Sequence, residues 1–130
     1  MSRTTPIALV AVLFLSVLSL AADRKQLSAA SAAVEANLKT PEGKKYEDQH
    51  VGADFQKFAP AVRQCKPAGS GVPTDFDIFL RLNADGKIAE VLVYPETAMA
   101  KCSAAAMLNG QFTAPPHGDY WVNIDLKFKQ

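Results

Sequence analysis

Apolar positions change their spacing along this chain, and the changes mark its elements. From Asp23 to Leu38, Leu27, Val34 and Leu38 fall near one face of an alanine-rich run, with Asp23 placed to cap it. This predicts a helix whose apolar stripe is thin. Thr40-Pro41-Glu42 stops that helix and starts another. Threonine suits the N-cap, proline the first helical position, and a carboxylate complements the helix dipole. From Pro41 towards Cys65, the residues Val51, Phe55, Phe58, Val62 and Cys65 recur at steps of four and three, which is one face of a helix. Pro60 cannot donate to the Gln56 carbonyl, so a kink or break is expected there. Lys66 to Pro73 is rich in Pro, Gly and Ser and predicts a loop.

The period then drops to two. Phe76, Ile78, Leu80 and Leu82 alternate with Asp75, Asp77 and Arg81, the pattern of a half-buried strand. Asn83-Ala84-Asp85-Gly86 predicts a tight turn with Gly86 in the left-handed conformation. Ile88 to Tyr94 is the return strand, ended by Pro95. Thr97 is placed to cap a helix over Ala98 to Asn109, with Gly110 as its stop. Met99, Cys102, Ala106 and Asn109 are expected to share its inner face, so that Cys65 and Cys102 both point at the core. Ala114-Pro115-Pro116-His117-Gly118 predicts a rigid turn. Tyr120, Val122, Ile124, Leu126 and Phe128 then alternate with Trp121, Asn123, Asp125 and Lys127, marking a last strand. The expected fold is α+β: a small three-stranded antiparallel sheet with helices packed on one face, ordered helix-strand-strand-helix-strand, plus an N-terminal helix.

The start of the chain has a different character. One basic residue, Arg3, precedes an apolar run from Ile7 to Leu20, and Ser19-Leu20-Ala21 places small residues where a signal peptidase reads them. The pattern predicts a cleaved secretory signal over residues 1–21, a helical extension over 22–40 and a folded domain over 41–130. The alternative is an uncleaved anchor, but the run is shorter than the ~20 residues that span a bilayer. A periplasmic or secreted protein without a stable membrane anchor is therefore expected. The formal charge of +1 includes Arg3, so the mature chain is balanced. A neutral surface without a basic run argues against nucleic acid as a partner. Two cysteines in an exported chain most often pair. Two buried thiols are the other arrangement, and Cys-x-x-Cys spacing is absent.

Phe76 to Ile88, with Val91 and Val93 after it, resembles the hairpin of the TonB C-terminal domain superfamily. Phe112-Thr113-Ala114-Pro115-Pro116, followed by the strand through Phe128, resembles that family's closing passage. The placement of Cys65 and Cys102 is similar to its AgmX/PglI-type branch. The resemblance covers about residues 50–130. It implies a small domain with helices on a short antiparallel sheet, and a partner peptide added beside the last strand, here Tyr120 to Phe128. The long proline-rich linker of TonB is missing, so coupling of the two membranes is not implied.

Candidate chemistry is sparse. His50 and His117 are the only histidines, and neither has a metal-ligand companion at useful spacing. No cofactor is expected. A GxSxG elbow is absent, and bonded cysteines cannot act as thiolates. Asp75 and Asp77 suggest an acid–base pair or, more simply, a solvated strand face. Lys44, Lys45, Lys127 and Lys129 read as surface charge. Nothing points to an enzyme. Trp121, Asn123, Asp125, Lys127 and Phe79 are the candidate partner-binding residues, because alternation turns them away from the core. The other reading of Trp121 and Phe79 is that the N-terminal helix covers them. The expected function is a non-catalytic module binding an envelope protein or peptide along the last strand, where a homodimer is also conceivable. The alternative is an accessory or inhibitor protein that acts on an envelope enzyme through the Lys66 to Pro73 and Ala114 to Gly118 loops.

Overall fold

The structure is a computed structural model and describes residues 24–69 and 71–129. The signal expected at 1–21 and the Asp23 cap lie outside the described residues. Among the described residues, five α-helices and three strands follow in order: α1 (Arg24–Leu38), α2 (Pro41–Tyr46), a π-helical turn (Glu47–Val51), α3 (Gly52–Phe55), α4 (Ala59–Gln64), β1 (Phe76–Leu82), β2 (Ile88–Tyr94), α5 (Ala98–Met107) and β3 (Tyr120–Leu126). The fold is α+β, with an antiparallel sheet ordered β2-β1-β3.

The central strand alternates without a break between buried and half-buried residues. Ile78, Leu80 and Leu82 are fully buried. They stand opposite Ile124, Val122 and Tyr120 of β3, and Ile78 and Leu80 also face Val93 and Val91 of β2. These residues share one core with Tyr46, Val51, Val62, Met99, Met107 and Phe112. α5 lies near β1 and β2, α4 near α5, and the π turn near β3. The opposite face of the sheet, which carries Asp77, Phe79 and Asn123, is met by α1.

Local signals act where their chemistry applies. Thr40 Oγ1 accepts from the Gly43 N–H at 3.0 Å and Thr97 Oγ1 from Ala100 at 3.1 Å, satisfying N–H groups that no helical carbonyl reaches. The turn after β1 closes through Gly86 N–H to the Asn83 carbonyl at 2.8 Å, with Gly86 at φ +90°.

The break expected around Pro60 is present, as a turn over 56–58. Three expectations are corrected. The helical stretch over 41–65 is also interrupted by the π turn. Pro60 sits in the first turn of α4, where a missing N–H leaves no helical bond unmade. α5 ends at Met107, and Asn109 at φ 67° takes the left-handed position instead of Gly110. Asparagine tolerates that conformation. The inner face of α5 is Met99, Ala100, Ser103 and Met107, not Met99, Cys102, Ala106 and Asn109. Ser103 satisfies its buried hydroxyl by donating to the Met99 carbonyl at 2.8 Å. Cys102 is therefore exposed on the flank of α5. There it bonds the half-buried Cys65, with Cα atoms 5.6 Å apart. This disulfide is the chemistry of an oxidising compartment. Among the described residues no helix is long and apolar enough to cross a membrane.

Candidate functional site

The sheet places β3 at an edge. Asn83 donates its N–H to the Lys87 carbonyl across the turn at 2.9 Å, and this sets the phase of the ladder. In an antiparallel ladder, successive residues turn their backbone groups to opposite sides. A bulge opposite Arg81 and Leu82 adds one residue, Ala89, on β2 and leaves the alternation of β1 intact. Odd-numbered β1 residues therefore pair with β2, and even-numbered ones with β3. On β3 the inward groups belong to Tyr120, Val122, Ile124 and Leu126. The N–H and C=O of Trp121, Asn123 and Asp125 point out along the edge. In keeping with that phase, the Trp121 carbonyl accepts from Asn37 Nδ2 of α1 at 3.1 Å. Among the described residues, the outward backbone groups of Asn123 and Asp125 meet no such partner.

The residues proposed from alternation fall around this edge. Phe79 stands opposite Asn123 in register, and Arg81 opposite Trp121. Phe79 and Trp121 are half-buried on the face that α1 meets. Asp125 is exposed and lies 3.6 Å from Lys127 Nζ. Asn123 Nδ2 approaches Asp77 Oδ1 at 3.4 Å. Arg81 holds Glu90 and Asp119, each at 3.1 Å. The hydrogen bond that Arg81 donates to Glu90 is the main reason its guanidinium is held above the ordinary arginine value. Asp75 accepts from the Phe128 N–H at 2.8 Å, so it pins the end of the chain after β3.

The two histidines, far apart in sequence, end up on one string of rings. Ring centroids run His50 to Tyr46 at 5.5 Å, Tyr46 to Tyr120 at 5.3 Å, and Tyr120 to His117 at 5.0 Å. A cavity of about 350 Å³ lies beside it, between Lys45 and His50 on the helical side and Pro115 and Pro116 opposite. Two hydrogen bonds clamp this region. Tyr46 donates its hydroxyl to the Thr113 carbonyl at 2.6 Å, and Asp54 Oδ2 accepts the Thr113 N–H at 2.7 Å. Burial raises the Tyr46 hydroxyl well above its ordinary value, aided by the Asp54, Tyr120 and Glu47 charges. Burial likewise raises Tyr120, and burial with the neighbouring Asp48 raises Glu47. These groups hold their protons more tightly. The cluster is a clamp that fixes the entry to β3.

Asp54 is the buried charge in that clamp, 5% exposed. Burial alone would push its carboxyl up, but the Thr113 N–H and Lys57 outweigh it and hold it below the ordinary value. A folded value below the unfolded one stabilises fully above about pH 4 and is lost as pH falls through the folded value. Asp54→Ala should cost about 2 kcal/mol at neutral pH. It should also flatten the acid limb of stability below about pH 4, as measured by urea unfolding across pH.

Asn37, Tyr46 and Asp54 escape sequence reading. Tyr46 and Val51 offer one signal, two large apolar-bodied residues five apart, the span of the hydrogen bond in a π turn, and both are buried. No protein-family model, curated protein or solved structure significantly matches this chain.

Proposed function

We propose that this chain is an exported, non-catalytic binding module that takes an extended segment of an envelope protein as an added strand on β3. The observation that carries this reading is the edge position of β3, with the backbone groups of Asn123 and Asp125 pointing outwards. A strand edge of that kind is a template for a guest backbone. Lys127 lies beside it and can contact guest side chains, whereas Phe79 and Trp121 stand half-buried on the face that α1 meets. Export is supported by the apolar run and small-residue pattern before residue 22, and by the disulfide. The resemblance to the TonB C-terminal superfamily supports the same strand.

A random dodecapeptide phage library panned against the oxidised chain should select binders with apolar residues at alternate positions. Their addition should shift the Asn123 and Asp125 amide resonances first. Asp125→Pro removes an outward N–H that β1 does not use, so the fold should tolerate it. It should weaken the selected peptides by about tenfold and move the thermal midpoint little. Shifts centred on the Lys66 to Pro73 and Ala114 to Gly118 loops would defeat this reading in favour of loop-mediated action on a partner. Failure to select any peptide would defeat it as well.

A further inference from the structure

We infer that α1 is a latched cover on the β3 site, and that a guest strand extends its pairing by displacing Asn37 from the Trp121 carbonyl. The guest half of this statement rests on the strand-addition reading; the latch does not. A paired guest backbone lies about 4.8 Å from β3. Beside Trp121 that space holds the Asn37 amide, 3.1 Å from the carbonyl a guest N–H would use. While α1 is docked, a guest reaches only Asn123 and Asp125. With α1 released, Trp121 joins the ladder and the outer face around Phe79 opens.

α1 docks with few fully buried side chains. Ala30 is its one fully buried residue, and Leu27, Val34 and Leu38 are half-buried. Two grooves open to solvent, of about 410 and 260 Å³, run along the seam between α1 and the sheet, the first lined by Leu27, Ser31, Phe79 and Tyr94, the second by Val34, Phe79 and Asn123. Along such a groove the helix forgoes dispersion contacts with the sheet. Asn37 is where α1 is held firmly. Its side chain donates to Trp121, and its carbonyl accepts from Thr40 N–H at 3.2 Å and Thr40 Oγ1 at 2.9 Å. Thr40 also caps α2 through Gly43, so α2 keeps its cap when α1 leaves.

Hydrogen exchange of the oxidised full chain tests the latch without any ligand. Amides of α1 should exchange at least about tenfold faster than those of β1. Asn37→Asp turns the donor into an acceptor facing the Trp121 carbonyl. It should speed α1 exchange about tenfold more and leave β1 unchanged. Leu27→Ala, which weakens the far end of α1, should move α1 in the same direction and serves if Asn37→Asp disturbs the whole fold. An α1 as protected as β1, or one indifferent to both substitutions, overturns the latch and leaves strand addition standing. A mobile α1 with no selectable peptide supports the latch and removes strand addition alone.

Discussion

Replacing both cysteines, as Cys65→Ser with Cys102→Ser, should lower the unfolding free energy by about 4 kcal/mol. The thermal midpoint should fall by about 15–25 °C. The two residues are 37 apart in sequence, and a bond across that span removes much of the freedom of the unfolded chain. The folded side of the balance changes little, because Cys102 is exposed and Cys65 only half-buried, so no large cavity opens. Domains of this size are stable by only about 5–15 kcal/mol, so the bond is a large share of the total. Urea unfolding of the oxidised, reduced and double-serine forms would measure it. The denaturant slope should rise in the last two, since an uncrosslinked unfolded chain exposes more surface. A midpoint drop of only a few degrees would mean that packing between α4 and α5 already does the work assigned to the bond.

The strands were the most legible part of this chain, and the reason is physical. A period of two puts every second residue on one face, and in β1 the buried positions follow it throughout. Caps were legible because they depend on one side chain and the next few amides; Thr40 and Thr97 act as expected. The rotation of α5 was not. Its alanines carry little contrast between faces, so the spacing of Met99, Cys102, Ala106 and Asn109 pointed to the wrong inner face. The need to meet Cys65 on the flank of α4 and the small hydroxyl of Ser103 turn the helix instead. Around the candidate site, alternation alone placed Phe79, Trp121, Asn123 and Asp125 off the core face. It could not show Asn37 on the Trp121 carbonyl, since no periodicity links a residue of the first helix to the backbone of the last strand. The two readings left open for Trp121 are thus joined: α1 meets its face, and among the described residues nothing pairs with the edge at Asn123 and Asp125.

Gly86→Ala should cost about 4 kcal/mol, from backbone strain and steric overlap together. Gly86 sits at φ +90°, where a side chain is strained whatever space surrounds it. Here there is no space. A Cβ would overlap the Phe112 carbonyl and come within 3.0 Å of Gln111 Nε2. Those neighbours cannot move freely. The Phe112 N–H donates to the Gly86 carbonyl at 2.9 Å, and the adjacent Ile88 N–H and carbonyl bond Gly110 and Asn109 at 2.8 and 3.1 Å. This short pairing is what turns the chain back after α5, and it seats the Phe112 side chain, 2% exposed, in the core. A methyl group at residue 86 would push that segment off β2 and draw Phe112 outwards. Gly69→Ala provides the comparison, because Gly69 is also left-handed, at φ +73°, with nothing within 4 Å of its would-be Cβ. It should lose only the conformational part, about 1 kcal/mol. The difference between the two variants, read by urea unfolding, measures how strongly the turn after β1 holds the segment that follows α5. If Gly86→Ala is no more destabilising than Gly69→Ala, that segment gives way without cost, and the close fit between Gly86 and Phe112 is not what seats it.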